Sequence, residues 1–146
     1  MNQRARRPGR RTVDDLLADA RARLVRLGPE EALAAQTAGA VLVDVRGDDQ
    51  IRDHGSIPGA IRIPRNVLEW RADPACMACD PRIADRDLLL VIVCQQGYQS
   101  SLAAATLQDL GFARATDLEG GFQAWSAAGL PVDRPTARPA RRTPPA

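Results

Sequence analysis

The strongest constraint on the fold is a run of six apolar residues at 88–93, near the middle of the chain. A short continuous run rich in β-branched residues is typical of a strand buried on both faces of a parallel sheet. Residues 41–45 form a similar run, and residues 61–63 and 115–118 are shorter candidate strands. Because helical segments alternate with these strands, the sequence predicts a three-layer α/β domain. Its central, mostly parallel sheet of about five strands would have helices on both faces.

Helix start and stop signals lie between the candidate strands. Residues 12–15 (TVDD) have the form of a capping box, which predicts a first helix over residues 12–24. Pro29 suits the first position of a second helix. After the central strand, apolar spacing predicts a helix over residues 100–110, and a last helix is expected to begin at the glycine pair 120–121.

The distribution of charge predicts where the domain begins and ends. The chain has 146 residues, 20 basic residues that are all arginine, and 18 acidic residues. Five arginines lie in residues 1–11 and four in residues 134–146, which leaves 11 − 18 = −7 for the middle. We therefore expect a domain over residues 12–133 between two basic, disordered tails at 1–11 and 134–146.

Several classes of protein are disfavoured by the sequence. No apolar run approaches the roughly 18 residues of a membrane span, and the basic N-terminus leads into no apolar signal segment. The basic tails contain no aromatic residue, so neither a nucleic acid nor a membrane is expected as a partner. Three cysteines are too few for a disulfide scaffold, which favours a reducing compartment and a cytoplasmic location.

Cys94 directly follows the central strand and begins the turn into the next helix. Ligands of open α/β sheets bind at the carboxyl ends of strands, and a helix N-terminus offers free amides and favours a thiolate. Gly97 permits a backbone whose successive amides point inward as an anion nest, and Ser100 or Ser101 is expected to cap the helix. A nucleophilic sulfur surrounded by such amides favours a reaction whose intermediate carries a terminal sulfur. The alternative is that Cys94 is only a small apolar residue ending a buried strand.

Four blocks of the chain, in order, resemble the rhodanese homology domain. They are LVDVR at 42–46, HGSIPGA at 54–60, the loop at 94–100, and LEGGFQAW at 118–125. The resemblance implies a single-domain sulfurtransferase in which Cys94 accepts a sulfane sulfur as a persulfide and passes it to a nucleophile. It implies no metal and no organic cofactor. The partners would be a small-molecule sulfur donor, either a persulfide or thiosulfate, and a thiol acceptor. The loop residues expected to shape their binding are Gln95, Gln96, Gly97, Tyr98, Gln99 and Ser100.

The loop departs from many active members of that family, which carry an arginine just after the cysteine or at the sixth loop position. Gln95 and Gln99 stand there instead. Neutral amides cannot match a guanidinium beside a dianion, so we expect weak use of thiosulfate and a preference for persulfide donors. Arg46 and Arg65 are the candidates to supply the missing charge. The lack of a loop arginine also speaks against a phosphatase, and it keeps open a non-catalytic module that senses persulfide or docks a partner.

The roles of Asp44, Arg46 and His54 have competing interpretations. For Asp44 and Arg46 the resemblance implies a mainly structural pair that holds neighbouring loops, although Asp44 is also placed to contact the catalytic loop. His54 is the only histidine and therefore a candidate proton shuttle, but its setting in a Gly/Pro turn favours a turn-stabilising role. Arg65 is expected in a short helix over residues 65–71 near the active face.

Cys76 and Cys79 have the spacing of a redox or zinc half-site. A tetrahedral zinc site needs four ligands, and the chain offers no second pair. Two interpretations remain open. The thiols are incidental, or they form a candidate redox pair that takes sulfur from a Cys94 persulfide and releases sulfide by thiol exchange.

Overall fold

Four parallel strands form the centre of the molecule in a computed structural model, which describes residues 9–134. The strand order in the sheet is β2-β1-β3-β4, and each neighbouring pair is parallel. This order requires crossover connections, which the helices supply. The strands are β1 (Val41–Asp44), β2 (Ile61–Arg62), β3 (Leu90–Val93) and β4 (Thr116–Asp117).

A single residue extends the sheet beyond β4. Leu27 pairs in parallel with Leu118. The Leu27 amide donates to the Asp117 carbonyl at 3.1 Å, and the Glu119 amide donates to the Leu27 carbonyl at 2.8 Å. The four strands together with this bridge agree with the predicted sheet of about five strands, and the α/β fold class is confirmed.

Six α-helices and one short 3₁₀ helix surround the sheet within the described residues. They are α1 (Val13–Ala22), α2 (Pro29–Thr37), α3 (Asp48–His54), the 3₁₀ helix (Arg65–Val67), α4 (Leu68–Ala72), α5 (Gln99–Asp109) and α6 (Gly121–Ala127). Thr12 caps α1 through the predicted capping box, although α1 ends two residues before the predicted end at 24. The sequence did not predict α3. Its seven residues bury only Ile51, so they present no apolar stripe.

The core lies on both faces of the sheet, as the central strand requires. All four residues of β3 are fully buried. Leu90 and Ile92 belong to one apolar cluster, with Val43 of β1. Val91 and Val93 belong to the other, with Leu42 and Trp125. Alternate residues of one strand therefore serve two different cores, which explains why this segment is continuously apolar.

The predicted tails fall almost entirely outside the described residues. Of the segment 1–11 only residues 9–11 are described, and of the segment 134–146 only Arg134. The last residue before the predicted C-terminal tail, Asp133, pairs with Ser56 in an antiparallel bridge. No helix in the range 9–134 is both long and apolar enough to cross a membrane.

Candidate active site

Cys94 lies at the carboxyl end of β3, where the backbone turns toward α5. Only 2% of the residue is exposed, and its Sγ accepts a hydrogen bond from the Gly97 amide at 3.1 Å. Gly97 has a φ of +83°, a region that strongly favours glycine. A side chain at this position would also meet the backbone nitrogen of Gly120 at 2.7 Å. The glycine therefore lets the loop fold back so that an amide reaches the sulfur.

The start of α6 holds the other side of the loop. The Phe122 amide donates to the Cys94 carbonyl at 2.8 Å, and the Gln123 amide donates to the Gln95 carbonyl at 3.0 Å. The approach is close because Gly121 has no side chain. A Cβ there would collide with the Cys94 carbonyl oxygen and lie 2.7 Å from the Gln95 carbonyl carbon. The first helical amides, which lack partners within α6, thus fix the loop that carries the cysteine.

Replacing Gly121 with alanine is expected to destabilise the fold by about 1–3 kcal/mol more than replacing Gly129 does, because only Gly121 meets a close neighbour. Both glycines have a left-handed φ, +63° and +74°, but a Cβ at Gly129 has nothing within 4 Å. Gly129→Ala is therefore a control for backbone strain alone. Urea unfolding of the two variants measures the difference. Equal losses of stability would show that the contact between α6 and the loop is not tight.

The loop and Gln50 of α3 line an open cavity of about 380 Å³ at Cys94. Tyr98 is 59% exposed, so its ring stands at the rim. None of the residues lining the cavity is charged, and they include most of the predicted loop residues. They are Gln50, Cys94, Gln95, Gln96, Tyr98 and Gln99.

Asp44 and Arg46 form a buried ion pair beside this loop. Their closest charged atoms are 2.8 Å apart, and both side chains are at most 1% exposed. Arg46 also donates to the Gly55 carbonyl at 2.8 Å and to the Gln95 Oε1 at 3.0 Å, and its guanidinium lies 4.1 Å from the centre of the Phe122 ring. Arg46 thus joins three segments of chain and contacts the loop only through Gln95. It does not line the Cys94 cavity.

Arg65 and His54 do not line the Cys94 cavity either. Arg65 pairs with Glu69 one turn later, at 2.6 Å, and therefore does not supply the charge that the loop lacks. His54 is exposed at the last position of α3, not in the predicted turn. It lines a separate depression of about 510 Å³ that shares Gln95 and Gln96 with the Cys94 cavity.

The expected capping of α5 by a serine is wrong. Tyr98 occupies the cap position and makes no side-chain capping bond. Ser100 and Ser101 are buried, and their hydroxyls both donate to Asp117 Oδ2, at 2.8 and 2.7 Å. The buried carboxylate of Asp117 needs donors, and it takes the two hydroxyls that the helix start presents to it.

Two arginines behind the loop were missed by the sequence reasoning. Arg21 of α1 donates to the Gly97 carbonyl at 2.8 Å, and Arg26 donates to the same oxygen at 3.0 Å. Arg26 also forms an ion pair with Asp117 at 2.9 Å. The acidic Asp117 at the end of a buried strand was a usable signal, because a buried carboxylate needs a partner such as Arg26. The contacts of Arg21 depend on how α1 packs against α5, which no local pattern encodes.

Cys76 and Cys79 lie together in the loop after α4. The Cys79 amide donates to the Cys76 carbonyl at 3.1 Å, and Arg71 holds the turn through the Ala78 carbonyl at 2.7 Å. Both thiols are free and half-buried, and neither lines the Cys94 cavity. Across residues 9–134 no group of three His, Cys, Asp or Glu side chains is arranged to hold a metal ion.

Residues 28–128 match the model of the rhodanese-like domain. The chain belongs to this family. A thiosulfate sulfurtransferase, GlpE, of Pseudomonas entomophila is 38% identical over 100 residues, covering 68% of this chain and 83% of that protein. Other relatives at similar identity carry the same name. The prediction that the chain is a sulfurtransferase of the rhodanese type is therefore confirmed.

Two solved structures are similar to the whole fold. One, from Rhodopseudomonas palustris, is described as a protein of unknown function and possible tyrosine phosphatase. It is 33% identical, with a TM-score of 0.79, and covers 88% of this chain and 98% of its own. The other, the polysulfide-sulfur transferase homodimer of Wolinella succinogenes, is 26% identical with a TM-score of 0.63. It covers 82% of this chain and 85% of its own.

Proposed function

We propose that this rhodanese-like protein carries a sulfane sulfur as a persulfide on Cys94 and transfers it to a thiol. The proposal rests on the hydrogen bond from the Gly97 amide to the Sγ of Cys94, a residue that lines a cavity. An amide donor stabilises negative charge on that sulfur before the reaction. The family's sulfurtransferase activity requires one sulfur with this property.

The proposed reaction conserves electrons in two substitution steps. The Cys94 thiolate attacks the outer sulfur of the donor and forms a new S–S bond. The donor's own S–S bond breaks, and its electron pair leaves on sulfite when the donor is thiosulfate, or on a thiolate when the donor is a persulfide. An acceptor thiolate then attacks the terminal sulfur, which restores the Cys94 thiolate.

The loop amides are the groups proposed to hold the transferred sulfur. Apart from Gly97, the amides between Cys94 and Ser100 make no hydrogen bond to another group in the described part of the chain. They stand at the positive end of α5, where an anion is stabilised. These amides belong to Gln95, Gln96, Tyr98, Gln99 and Ser100.

The uncharged cavity supports a preference for persulfide donors over thiosulfate. Gln99→Arg places a guanidinium on the cavity wall and is expected to raise kcat/KM for thiosulfate about tenfold, with a smaller gain for a persulfide donor, because a dianion gains more from the added charge. Ala38→Arg adds the same charge on an exposed position outside the cavity. Steady-state rates with both donors test this. Equal gains in the two variants would contradict the proposed donor preference.

The two alternatives are a phosphatase and a non-catalytic module. A phosphatase must match the charge of a phosphoryl group in its transition state, and no charged residue lines the Cys94 cavity in the described range. A sensor or docking module would accept sulfur without passing it on. We assign no step to Cys76 or Cys79, since neither lines that cavity.

Mass spectrometry of the protein after separate incubation with thiosulfate and with a persulfide donor tests the proposal. We expect one added sulfur on the peptide that contains Cys94, more of it with the persulfide donor, and none on that peptide in Cys94→Ser. Sulfur found only on Cys76 or Cys79 would refute the assignment. A phosphatase would instead hydrolyse a phosphotyrosine analogue and acquire no sulfur.

We also propose that the domain spans residues 12–133 and that the protein is located in the cytoplasm. Thr12 caps α1 and Asp133 pairs with Ser56, so both proposed limits fall on residues bonded to the fold. All three cysteines are free, which suits a reducing compartment.

A further inference from the structure

Two arginines bond to the back of the loop that carries Cys94. Arg21 and Arg26 both donate to the carbonyl oxygen of Gly97. Both precede residues 28–128, which match the family model, and neither lines the Cys94 cavity. The segment before the family match therefore contacts the candidate active-site loop directly.

These hydrogen bonds fix the orientation of one peptide group. The structure contains no cis peptide among the described residues, so the Tyr98 N–H points opposite to the Gly97 carbonyl. That carbonyl is held on the arginine side, and Tyr98 lines the cavity at Cys94. The arginines thus turn an amide donor of the loop away from themselves, in a residue that lines the cavity.

The charges of the two arginines are balanced differently. Arg26 is paired with the buried carboxylate of Asp117. Within the described chain, Arg21 contacts only uncharged groups. Its Nε donates to the Ser101 hydroxyl at 3.2 Å, and its guanidinium lies 5.6 Å from the centre of the Tyr98 ring. Arg21 therefore brings a positive charge, with no contacting carboxylate, to the back of a loop that contains no cation.

We propose that Arg21 is a positioning residue for anionic substrates of Cys94. Its charge attracts the anion, and its hydrogen bond to Gly97 orients the Tyr98 amide that receives it. Arg26 shares the bond to Gly97 and ties it to Asp117. The proposal rests on the proposed function, because it concerns how an anion such as thiosulfate or a persulfide reaches the sulfur.

The rates of alkylation of Cys94 by iodoacetate and by iodoacetamide test this role. In both reactions the thiolate displaces iodide and forms a C–S bond, but only iodoacetate is an anion. A change in the thiolate fraction alters both rates equally and cancels in their ratio. In Arg21→Met we expect the iodoacetate-to-iodoacetamide ratio to fall about three- to tenfold, because a nearby charge is removed.

Arg23→Met is the matched control. It removes the same charge two residues away, but Arg23 pairs with Asp109 and does not contact the loop. All variants carry Cys76→Ser and Cys79→Ser, so only Cys94 reacts. Should Arg21→Met fail to fold, Arg21→Gln replaces it, because the amide keeps one donor without the charge. An unchanged ratio in the Arg21 variant, or an equal fall in Arg23→Met, would overturn the proposal.

The alkylation ratio separates this proposal from the proposed function. Alkylation requires no sulfur transfer, so the ratio falls in Arg21→Met even if Cys94 forms no persulfide. Conversely, a protein that forms the persulfide but shows an unchanged ratio would retain its proposed function and lose this role for Arg21. Where both hold, Arg21→Met is also expected to raise KM for thiosulfate more than it lowers kcat.

Discussion

Cys94→Ser is expected to lower sulfur transfer by about a thousandfold or more, to the background rate of the donor and acceptor alone. A serine hydroxyl is far less ionised than a thiol near neutral pH, and it cannot form the S–S bond on which the reaction depends. The replacement is nearly isosteric, and a hydroxyl oxygen can accept the hydrogen bond that the Gly97 amide donates to Sγ, so the fold is expected to remain. Transfer from a persulfide donor to a thiol acceptor, followed by mass spectrometry, measures the loss.

The matched control replaces Cys76 and Cys79 with serine together. Because neither thiol lines the Cys94 cavity, this double variant is expected to transfer sulfur at the rate of the unchanged protein. Substantial transfer by Cys94→Ser would refute the assignment of the nucleophile. A double variant that still forms the Cys94 persulfide, but no longer releases sulfide without added thiol, would place the two cysteines in a relay.

Asp44→Ala is expected to lower the free energy of unfolding by about 3–5 kcal/mol, because it leaves the guanidinium of Arg46 buried without its charge partner. The remaining acceptors of Arg46, the Gly55 carbonyl and the Gln95 side chain, are uncharged. Because Gln95 belongs to the loop, the loss of stability should be accompanied by faster alkylation or proteolysis there. Chemical denaturation monitored by tryptophan fluorescence measures the stability.

Asp48→Ala provides the control for this ion pair. Asp48 pairs with Arg62 at the same distance of 2.8 Å, but both side chains are exposed. Exposed pairs contribute about 0–1 kcal/mol. If Asp44→Ala lowers the free energy of unfolding no more than Asp48→Ala does, then burial does not increase the contribution of the Asp44–Arg46 pair to stability. Replacing Asp44 and Arg46 together with apolar residues should cost less than Asp44→Ala alone.

The sheet was predictable because its signals are local. A strand such as β3, buried on both faces, must be apolar at every position, and the sequence shows this directly. The turn at Cys94 was also predictable, since a glycine three residues later is required for the backbone that brings an amide to the sulfur. Helix α3 was missed because it buries one residue and carries no periodic apolar pattern.

The charges around the loop were not predictable, because they depend on tertiary packing. The sequence offered Arg46 and Arg65 as the cations nearest the site. In the structure, Arg46 forms an ion pair with Asp44, and Arg65 forms one with Glu69, one turn later in the chain. Arg21 reaches the loop only because α1 packs against α5, which lies about 80 residues later in the chain. The buried serines of α5 were misassigned for the same reason, since their acceptor Asp117 lies on β4.

A single-turnover experiment tests whether Cys94 carries the sulfur from donor to acceptor. The protein is loaded with a persulfide donor, freed of excess donor, mixed with a thiol acceptor, and sampled over time by mass spectrometry of the Cys94 peptide and of the acceptor. If Cys94 carries the transferred sulfur, we expect one sulfur to leave the Cys94 peptide at the rate at which it appears on the acceptor. An acceptor that gains sulfur while the Cys94 peptide never carries any, or a Cys94 persulfide that no thiol can discharge, would contradict it.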